Sequence, residues 1–535
     1  MSTMDTSKIR VAVIGAGPAG LAAMKNLLDE GFNVTGFDNR DGVGGVWRFT
    51  EHPGITSVTR HTKVQLSKFL MPFSDLPLHD DAPRYLTGEQ LTAHYQEYAR
   101  IYHLQERFEF NTTVKSLARS DDNSAWLLSL EGHADPRVFD KVVLASGSEH
   151  ARVYPAIDNL GVFEGTYMHG QSYKGPEPFE DMNVVVMGQG NSAADCAAEL
   201  KGHASSVYLA HTRGALIVPR EARGKRLDAS VSWATAEIRF RLGHYFPSLQ
   251  RKLMWNILTG AANKAWGELD PAWGLDPEEA CADNIAGIVV NDAIVPALRS
   301  GLVHPVSAIR RVVGPRSVEL QDGTVLEDID AIIAATGYRF QVDLLGSHVG
   351  YHQTLPGTDA LPDLYQNIFP VDYADSLACL GYNIVQINAG TAREIASMAV
   401  AQVWAGKSKL PSRQDMMRQI ERHREWFAER CRTNPSMRQC GAQIEPHEYW
   451  KFIHETAGTG LYENLGWSWP AWKFFVTSPK LYFTLAYGVL TPHLLRYFET
   501  GKRKAWDGAL DAILHANQLS ALDLKQPHQP EVKTV

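Results

Sequence analysis

Two glycine-rich turns in this chain have the spacing that binds the pyrophosphate of a dinucleotide. The first, Gly15–Gly20 (Gly-Ala-Gly-Pro-Ala-Gly), follows an apolar run, 9–14, and precedes a helical pattern, 21–29. In such a turn the first glycine permits the bend, the second lets the backbone approach the phosphates, and the third lets the helix pack closely on the strand. The free N–H groups and positive dipole end of the helix then attract the phosphates.

The second turn, Gly188–Ala193 (Gly-Gln-Gly-Asn-Ser-Ala), lies in the middle of the chain. It follows the apolar run Val184–Met187 and opens a helical pattern, Ser192–Leu200. Alanine replaces the third glycine, which this type of turn tolerates. The chain therefore predicts two dinucleotide-binding units of alternating strands and helices.

The residues after the second strand of each unit predict which dinucleotide it takes. The strand Asn33–Phe37 ends at Asp38, whose carboxylate suits a free ribose diol, as in FAD. The strand Ser206–Ala210 ends in His211-Thr212-Arg213, and a hydroxyl and a cation there would hold the 2′-phosphate of NADPH. The alternative for Arg213 is a solvated surface cation.

Further small residues favour close contact with a large ligand. Glycines in the segment 42–47 allow the backbone to approach a planar ring that Trp47 would wall, although an ordinary glycine loop is the alternative. The apolar runs 141–147 and 331–338 both end in small residues and glycine. We expect both to return to the same nucleotide-binding unit.

Composition bounds the class of protein. A chain of 535 residues exceeds one core, so two or three domains are expected. A net charge of −8 without long basic runs argues against nucleic acid as a partner. Five cysteines without a C-x-x-C pair point to a reducing compartment, the cytoplasm, and the histidines lack the spacing of metal ligands. No signal peptide is expected in the short polar start.

Two aromatic-rich segments lie outside the nucleotide-binding pattern. The segment 474–498 is interrupted by Pro479, Lys480 and Pro492, so it predicts a packed element and no transmembrane anchor, with a weak membrane-surface contact as the alternative. The insertion 219–284 contains helical stretches, 232–241 and 249–259, that would roof an active site or form a packed subdomain. The sequence leaves the oligomeric state open and is compatible with a dimer.

A basic cluster opens that insertion. It consists of Arg220, Arg223, Lys225 and Arg226. These side chains are interpreted either as cofactor ligands or as a solvated loop.

The segment before the second unit carries the most specific pattern in the chain. Phe163-x-Gly165-x-x-x-His169-x-x-x-Tyr173 matches the fingerprint F-x-G-x-x-x-H-x-x-x-Y, and the sequence resembles the flavin-containing monooxygenase family over roughly residues 9–515. Other segments similar to the family are Gly44–Trp47, Phe73–Asp75, Asn291-Asp292, Ala335–Tyr338, Thr491–His493 and Trp506–Ile513. The resemblance implies a linker role between domains for His169.

The resemblance implies an α/β fold with two Rossmann-like dinucleotide-binding domains, the NADP domain inserted in the FAD domain. The expected divisions are 1–155 (FAD domain, first part), 156–324 (NADP domain, with the mainly helical insertion 219–284), 325–515 (FAD domain, second part, and C-terminal helices) and 516–535 (polar tail).

Together, the turns and the resemblance imply a set of cofactor-binding residues. On the FAD side they are Gly15, Gly17, Pro18, Ala19, Gly20, Asp38, Gly45, Val46, Trp47, Gln65, Leu66 and Val114. On the NADP side they are Gly188, Gly190, Asn191, Ser192, Ala193, Ala194, Asp195, Thr212 and Arg213. Thr336 and Gly337 are expected to contact a cofactor as well.

The resemblance also implies the reaction. NADPH reduces FAD, O₂ forms a C4a-hydroperoxide on the flavin, and one oxygen atom passes to a small organic substrate. Gln65 stands where the family usually has an asparagine, so we expect its amide to be the catalytic group beside the flavin. Tyr173 favours N- or S-oxygenation, since Baeyer–Villiger members usually have tryptophan there; ketone oxidation is the alternative. An NADPH-dependent flavoprotein reductase is a remote alternative, because such an enzyme requires a redox-active cysteine pair and the sequence shows no C-x-x-C.

Overall fold

The computed structural model describes residues 5–222, 224–275, 288–356, 358, 360–384, 388–434, 437 and 442–525. Its framework is a pair of five-stranded sheets in which neighbouring strands run parallel. In chain order their strands are β1 (Arg10–Ile14), β2 (Asn33–Phe37), β3 (Phe108–Glu109), β4 (Lys141–Leu144), β5 (Thr166–His169), β6 (Asn183–Met187), β7 (Ser206–His211), β8 (Val303–Ser307), β9 (Ala331–Ala334) and β10 (Leu377–Cys379).

The second sheet is inserted in the first. The first sheet has the order β10-β4-β1-β2-β3, and the second has the order β8-β7-β6-β9-β5. The chain leaves the first sheet after β4, builds the whole second sheet, and returns to the first at β10. The predicted α/β fold with one Rossmann-like unit inside the other is confirmed.

The prediction that the strands at 141 and 331 belong to one unit is wrong. β4 pairs with β1 in the first sheet, whereas β9 pairs with β6 in the second. Their similar composition reflects equivalent positions, because each lies beside the strand that leads into a glycine turn. A boundary after residue 324 would therefore separate β9 from its own sheet.

Two short strands carry the chain between the two units. Ala151–Arg152 leads out of the first sheet and Tyr338–Arg339 leads back, and the two pair antiparallel. The return to the first unit therefore begins after Gly337. Pairing the two linkers fixes the place at which one unit joins the other.

Helices cover the sheets and build the rest of the chain. They are α1 (Pro18–Asp29), α2 (Gly88–Ile101), α3 (Asn191–Leu200), α4 (Trp233–Tyr245), α5 (Pro247–Trp266), α6 (Ile294–Arg299), α7 (Ala389–Trp404), α8 (Arg413–Thr433), α9 (Pro446–Ala457), α10 (Leu461–Leu465), α11 (Trp469–Thr477), α12 (Pro479–Tyr487) and α13 (Ala509–Lys525). α1 packs on α7, and α4 packs on α5, α9 and α12.

Smaller strands form antiparallel pairs, three-stranded sheets and one parallel pair. The two three-stranded sheets are Val114–Arg119 with Trp126–Leu130 and Arg137–Phe139, and Ile309–Gly314 with Ser317–Leu320 and Val325–Leu326. The others are Leu216–Val218, Glu221–Ala222, Lys225–Arg226, Ile288–Val290, Tyr351–Gln353, Ala360–Pro362, Leu364–Tyr365 and Phe369–Pro370.

The insertion and the aromatic-rich segment both contain helices. The stretches predicted at 232–241 and 249–259 are helical and lie in α4 and α5, while residues 276–284 lie outside the described residues. The segment from 474 divides between α11 and α12, where Leu485 is buried and Phe483 is exposed. Among the described residues, no helix is both long enough and apolar enough to cross a bilayer.

Candidate active site

The first glycine turn is shaped by its own backbone. Gly15 has a φ of +108°, and a Cβ there would lie 2.3 Å from the carbonyl oxygen of Ala145. A Cβ on Gly20 would lie 1.8 Å from the carbonyl oxygen of Gly15. A Cβ on Gly17 would meet only the backbone of Gly45, at 3.5 Å or more. Gly15 and Gly20 are therefore required by the fold, whereas Gly17 keeps one side of the turn accessible.

The N-terminus of α1 offers donors to a ligand. Gly17 is its N-cap and supplies no side-chain cap, and Pro18 has no N–H to leave unpaired. Ala19 and Gly20 lie in the first turn of the helix, where N–H groups have no intrahelical partner. This is the arrangement that attracts a pyrophosphate.

A second glycine loop packs directly on the first. Gly44 donates its N–H to the carbonyl of Ala16 at 3.0 Å. Arg40 donates from Nη1 to the carbonyl of Gly45 at 2.6 Å. The structure thus brings Val46 and Trp47 beside the glycine turn, and their contact with a flavin stays a prediction.

Asp38 lies against the same turn. Its Oδ2 accepts the N–H of Ala16 at 2.6 Å, and its Oδ1 accepts the N–H of Arg40 at 2.8 Å. Burial raises the pKa of the Asp38 carboxyl above its ordinary value, although these N–H groups oppose the shift. Thr112 donates its N–H to the Asp38 carbonyl at 2.9 Å, which brings the strand that begins at Val114 to this group.

Gln65 is exposed, but hydrogen bonds from distant residues hold the backbone on both sides of it. Arg220 donates to the carbonyls of Lys63 and Val64, at 3.0 Å each. The N–H of Ser67 donates to Asp228 Oδ2 at 2.7 Å. Sequence reasoning missed this fastening, since nothing in the spacing of Arg220 or Asp228 indicates these partners.

Both interpretations of the basic cluster fail for its two buried arginines. Arg220 pairs with Asp292 at 2.7 Å, and Arg226 pairs with Asp228 at 2.7 Å and with Asp523 at 2.8 Å. Neither is a solvated side chain, and neither has a free charge for a phosphate. Lys225 is exposed, and Arg223 lies outside the described residues.

The second glycine turn repeats the first. Gly188 has a φ of +135°, and a Cβ there would lie 2.3 Å from the carbonyl oxygen of Ala335. Gly190 is the N-cap of α3 without a side-chain cap, and a Cβ there would have no neighbour within 4 Å. The exposed Ser192 and the buried Ala193 and Ala194 follow in the first turn of the helix.

Two polar side chains of α3 are held by the segment 290–292. Asn191 Oδ1 accepts the N–H of Val290 at 2.8 Å, and Asp195 Oδ1 accepts from Asn291 Nδ2 at 2.6 Å. Burial raises the pKa of the Asp195 carboxyl to about 6. Both side chains therefore face the protein next to the predicted NADP site.

The residues that follow β7 divide into two groups. His211 is buried and its Nε2 donates to the carbonyl of Trp273 at 3.0 Å, so it is committed to the fold. Thr212 and Arg213 are exposed, and the Arg213 guanidinium has no ion pair within the described residues. Only Thr212 and Arg213 remain accessible for a 2′-phosphate at this position.

The fingerprint histidine joins two segments of the inserted unit. His169 Nε2 donates to the carbonyl of Gly337 at 3.0 Å, and its Nδ1 accepts the N–H of Gln171 at 3.1 Å. Burial lowers the pKa of His169, so the ring stays neutral and structural. Thr336 donates to the carbonyl of Val153 at 2.6 Å, which places Thr336 and Gly337 in the linkers. His169 thus holds the return segment at Gly337, and its role as a linker between the domains stays a prediction.

A cavity lies between α4, α9 and the segment that follows α12. It encloses about 530 Å³ of unfilled space, its opening included, and its lining is largely apolar. α4 supplies Trp233 and Phe240, and α9 supplies Trp450. Leu70, five residues after Gln65, is also part of the lining, and Asn388 donates from its side chain to the Leu70 carbonyl.

The two turns suit the two dinucleotides that the sequence implies. Each offers an uncapped helix N-terminus and a glycine whose missing Cβ leaves space. The first has an acid for a ribose diol, and the second has an exposed cation for a phosphate. Among the described residues, no cluster of histidine, cysteine, aspartate or glutamate is arranged to bind a metal.

Comparison with known sequences agrees with this arrangement. The sequence model of the family described as flavin-binding monooxygenase-like matches residues 8–533. Monooxygenase aurF of Gibberella zeae is 33% identical over 520 residues, which cover 95% of this chain and 97% of that protein. Flavin-containing monooxygenase 5 of Rattus norvegicus is 30% identical over 527 residues, which cover 95% of this chain and 92% of that protein.

Solved structures share the fold. S-allyl-L-cysteine S-oxygenase from Allium sativum superposes with a TM-score of 0.60 at 19% identity, covering 97% of this chain and 99% of that one. Closed cyclohexanone monooxygenase gives 0.58 at 17% identity, covering 84% and 98%. The structure named OTEMO complex with FAD and NADP gives 0.59 at 15% identity, covering 85% and 98%.

Two nested dinucleotide folds, the fingerprint between them and a family match along almost the whole length lead to one conclusion. This chain belongs to the flavin-binding monooxygenase-like family and is a flavin-dependent monooxygenase that uses FAD and NADPH.

Proposed function

We propose that this monooxygenase transfers one oxygen atom of O₂ to a nitrogen or sulfur atom of an apolar small molecule. The observation that carries the choice of reaction is Tyr173, which replaces the tryptophan that the resemblance associates with Baeyer–Villiger enzymes. A soft nucleophile needs no protein base to attack an activated oxygen. Baeyer–Villiger oxidation of a ketone is the second candidate, because cyclohexanone monooxygenase shares the fold.

The largely apolar cavity that Leu70, Trp233 and Trp450 line supports an apolar substrate. Its aromatic walls favour a flat or hydrophobic molecule. The carboxylate of Glu237 in the lining is matched by Arg241 Nε at 2.5 Å and accepts from Tyr462 at 2.8 Å. Burial lowers the pKa of His454 to about 3, so this lining histidine is neutral. A neutral substrate therefore fits better than a charged one.

The residues of this chain divide the work of binding between the two units. We assign FAD to Gly17–Gly20, Asp38 and 45–47, with Val114 near the ribose end. We assign NADP to Gly190–Asp195 and to Thr212 and Arg213. When bound, the two cofactors supply hydride transfer and oxygen activation. The chain supplies helix N-termini for the pyrophosphates, an amide at Gln65 and a dry apolar cavity.

We also propose limits for the two domains and a compartment for the protein. The FAD domain comprises 1–155 and the chain after Gly337, and the NADP domain extends from 156 to 337 so that it keeps β9. The cytoplasm remains the expected compartment, since Cys196 and Cys379 are buried free thiols.

We further propose that the outer faces of α5 and α11–α12 touch an anionic membrane surface. Leu249, Leu253 and Ile257 are exposed four residues apart on α5, and Trp469 and Trp472 are exposed on α11. The segments 238–266 and 466–498 contain no acidic residue, in a chain whose net charge is −8. Aromatic and basic residues without acids suit the interface of an anionic bilayer.

Flotation with vesicles tests this contact. The holoenzyme should float with vesicles that contain phosphatidylserine and remain below with neutral ones, and W469S/W472S should lose the binding. Tyr351→Ser, at an exposed apolar residue elsewhere, is the control. Equal flotation of the parent and both variants would contradict the contact. If the parent is a dimer that becomes monomeric only in W469S/W472S, the surface would be assigned to a second copy of the chain.

Product analysis tests the choice of reaction. Holoenzyme with NADPH and O₂ is supplied with matched apolar amines, sulfides and ketones, and products are identified by mass and NMR. We expect N-oxides or sulfoxides and little ester. Ester from the ketone, with amine and sulfide unchanged, would replace the first candidate with the second.

A further inference from the structure

Arg220 holds the backbone immediately before Gln65. Its side chain is 8% exposed, and Nε and Nη2 donate to two consecutive carbonyls, Val64 and Lys63, at 3.0 Å each. Nη1 donates to Asp292 Oδ2 at 2.7 Å, and the backbone N–H of Arg220 donates to Asp292 Oδ1 at 2.8 Å. A planar guanidinium held on one edge by a carboxylate is a rigid clamp for the carbonyls on its other edge.

The carboxylate partner is connected to α3. Asn291, next to Asp292, is 2% exposed and donates from Nδ2 to Asp195 Oδ1 at 2.6 Å. Val290, one residue earlier, donates its N–H to Asn191 Oδ1 at 2.8 Å. The segment 290–292 therefore contacts two polar side chains of α3 and also holds Arg220. Hydrogen bonds, together with the backbone steps from Asn291 to Asp292 and from Val64 to Gln65, connect the NADP-side helix to Gln65.

We propose that Arg220 and Asp292 are positioning residues that make the placement of Gln65 depend on NADP at α3. The inference rests on the proposed function, because it assigns NADP to α3 and the flavin amide to Gln65. Without the clamp, the carbonyls of Lys63 and Val64 lose their donors, and the exposed Gln65 is free to leave its position. The glycine turn at Gly15–Gly20 is separate from this series, so FAD should still bind.

Hydrogen–deuterium exchange tests the connection without relying on turnover. We expect NADP⁺ to slow exchange in the peptide that spans residues 60–68 of the FAD-loaded parent. In Arg220→Lys, which retains charge but offers no planar fork, NADP⁺ should still bind to α3 and no longer slow that exchange. Direct shielding of the peptide by the nucleotide would survive the substitution, so persistence of the effect would overturn the proposal.

Arg84→Lys is a matched control. Arg84 is also 8% exposed and bridges two carboxylates, Glu221 and Asp523, but it makes no contact with the carbonyls before Gln65. This variant should keep the NADP⁺ effect on exchange. Equal loss in both variants would mean that any buried arginine in this region has the same effect.

Peroxide release gives the second measurement. The fraction of oxidised NADPH that ends as hydrogen peroxide should rise towards its maximum of one in Arg220→Lys, with FAD content unchanged. Asp292→Asn, the milder variant should Arg220→Lys fail to fold, should shift in the same direction. If the enzyme oxygenates none of the amines or sulfides, the proposed reaction fails, but the exchange experiment still tests whether Arg220 links NADP binding to Gln65. Failure of the proposed function and failure of this inference are therefore distinguishable. Unchanged exchange and peroxide in both variants would overturn it.

Discussion

At the scale of single residues, the structure separates side chains that a ligand can reach from those that the fold uses. His211, Thr212 and Arg213 are consecutive in the sequence, but His211 is bonded to Trp273 and the other two are exposed. Arg220 was compatible with a phosphate contact and is instead held by Asp292. A cation's partner on a distant segment cannot be found from spacing, because it depends on tertiary packing.

Arg213 is therefore the residue that decides cofactor preference. Loss of a charge-assisted hydrogen bond of about 1.5–3 kcal/mol in Arg213→Ala corresponds to roughly 10- to 150-fold weaker affinity for NADPH. NADH affinity and FAD content should barely change, since NADH lacks the 2′-phosphate. Titration of both nucleotides measures this. Equal losses for NADPH and NADH would assign Arg213 to the fold.

Asp195 predicts a pH dependence of stability. Its pKa is raised to about 6 by burial, so the folded protein binds this proton more tightly than the unfolded chain, where the ordinary value is 3.8. The stability that it contributes is present below pH 4 and is lost as the pH rises to about 6.

Asp195→Asn isolates that loss, because asparagine does not ionise and can still accept from Asn291. The free energy of unfolding of the variant relative to the parent should rise by up to about 3 kcal/mol between pH 4 and pH 7. Denaturant unfolding at several pH values measures this difference. A difference that is independent of pH would show that Asp195 ionises as freely in the folded chain as in the unfolded one.

At the scale of elements, the two glycine turns have different requirements at neighbouring positions. Gly15→Val should prevent folding, since its Cβ would lie 2.3 Å from the Ala145 carbonyl and its φ of +108° is unsuited to valine. Gly17→Val should fold and lose FAD, because its side chain would fill the accessible side of the turn. Flavin absorbance and far-UV circular dichroism of both variants measure this contrast. A folded Gly17→Val protein with full FAD content would contradict the assignment.

α4 forms a wall of the proposed substrate cavity. Ala236→Phe should fill part of the space beside Trp233 and Phe240, and should lower kcat/KM for large substrates about tenfold or more while leaving NADPH affinity intact. Steady-state kinetics with a small and a large sulfide measure the effect. If Ala236→Phe changes kcat/KM by the same factor for the small and the large sulfide, the substrate would bind outside this cavity.

At the scale of the whole molecule, the repeated local patterns predict the strands and helices but do not predict which of the two sheets a strand joins. Both glycine turns, their strands and their helices form where the sequence placed them, because strand, turn and helix are encoded locally. β9 was assigned to the wrong unit, since β4 and β9 have the same apolar pattern and pairing partners are a long-range choice.

The site follows the same rule. Asp38 and Trp47 lie beside the first turn because they follow it closely in the chain. The contacts that hold the chain on either side of Gln65 come from residues more than 150 positions away. Whether the bound cofactors contact the named residues remains a prediction.

The central claim is that this chain transfers one atom of O₂ to nitrogen or sulfur by using NADPH and FAD. Turnover of an apolar sulfide or tertiary amine under ¹⁸O₂, with NADPH consumption recorded, tests it most directly. The expected product carries one ¹⁸O atom per molecule, one NADPH is oxidised per product, and the second oxygen atom is found in water. NADPH oxidation that yields only hydrogen peroxide, or product whose oxygen comes from water, would contradict it.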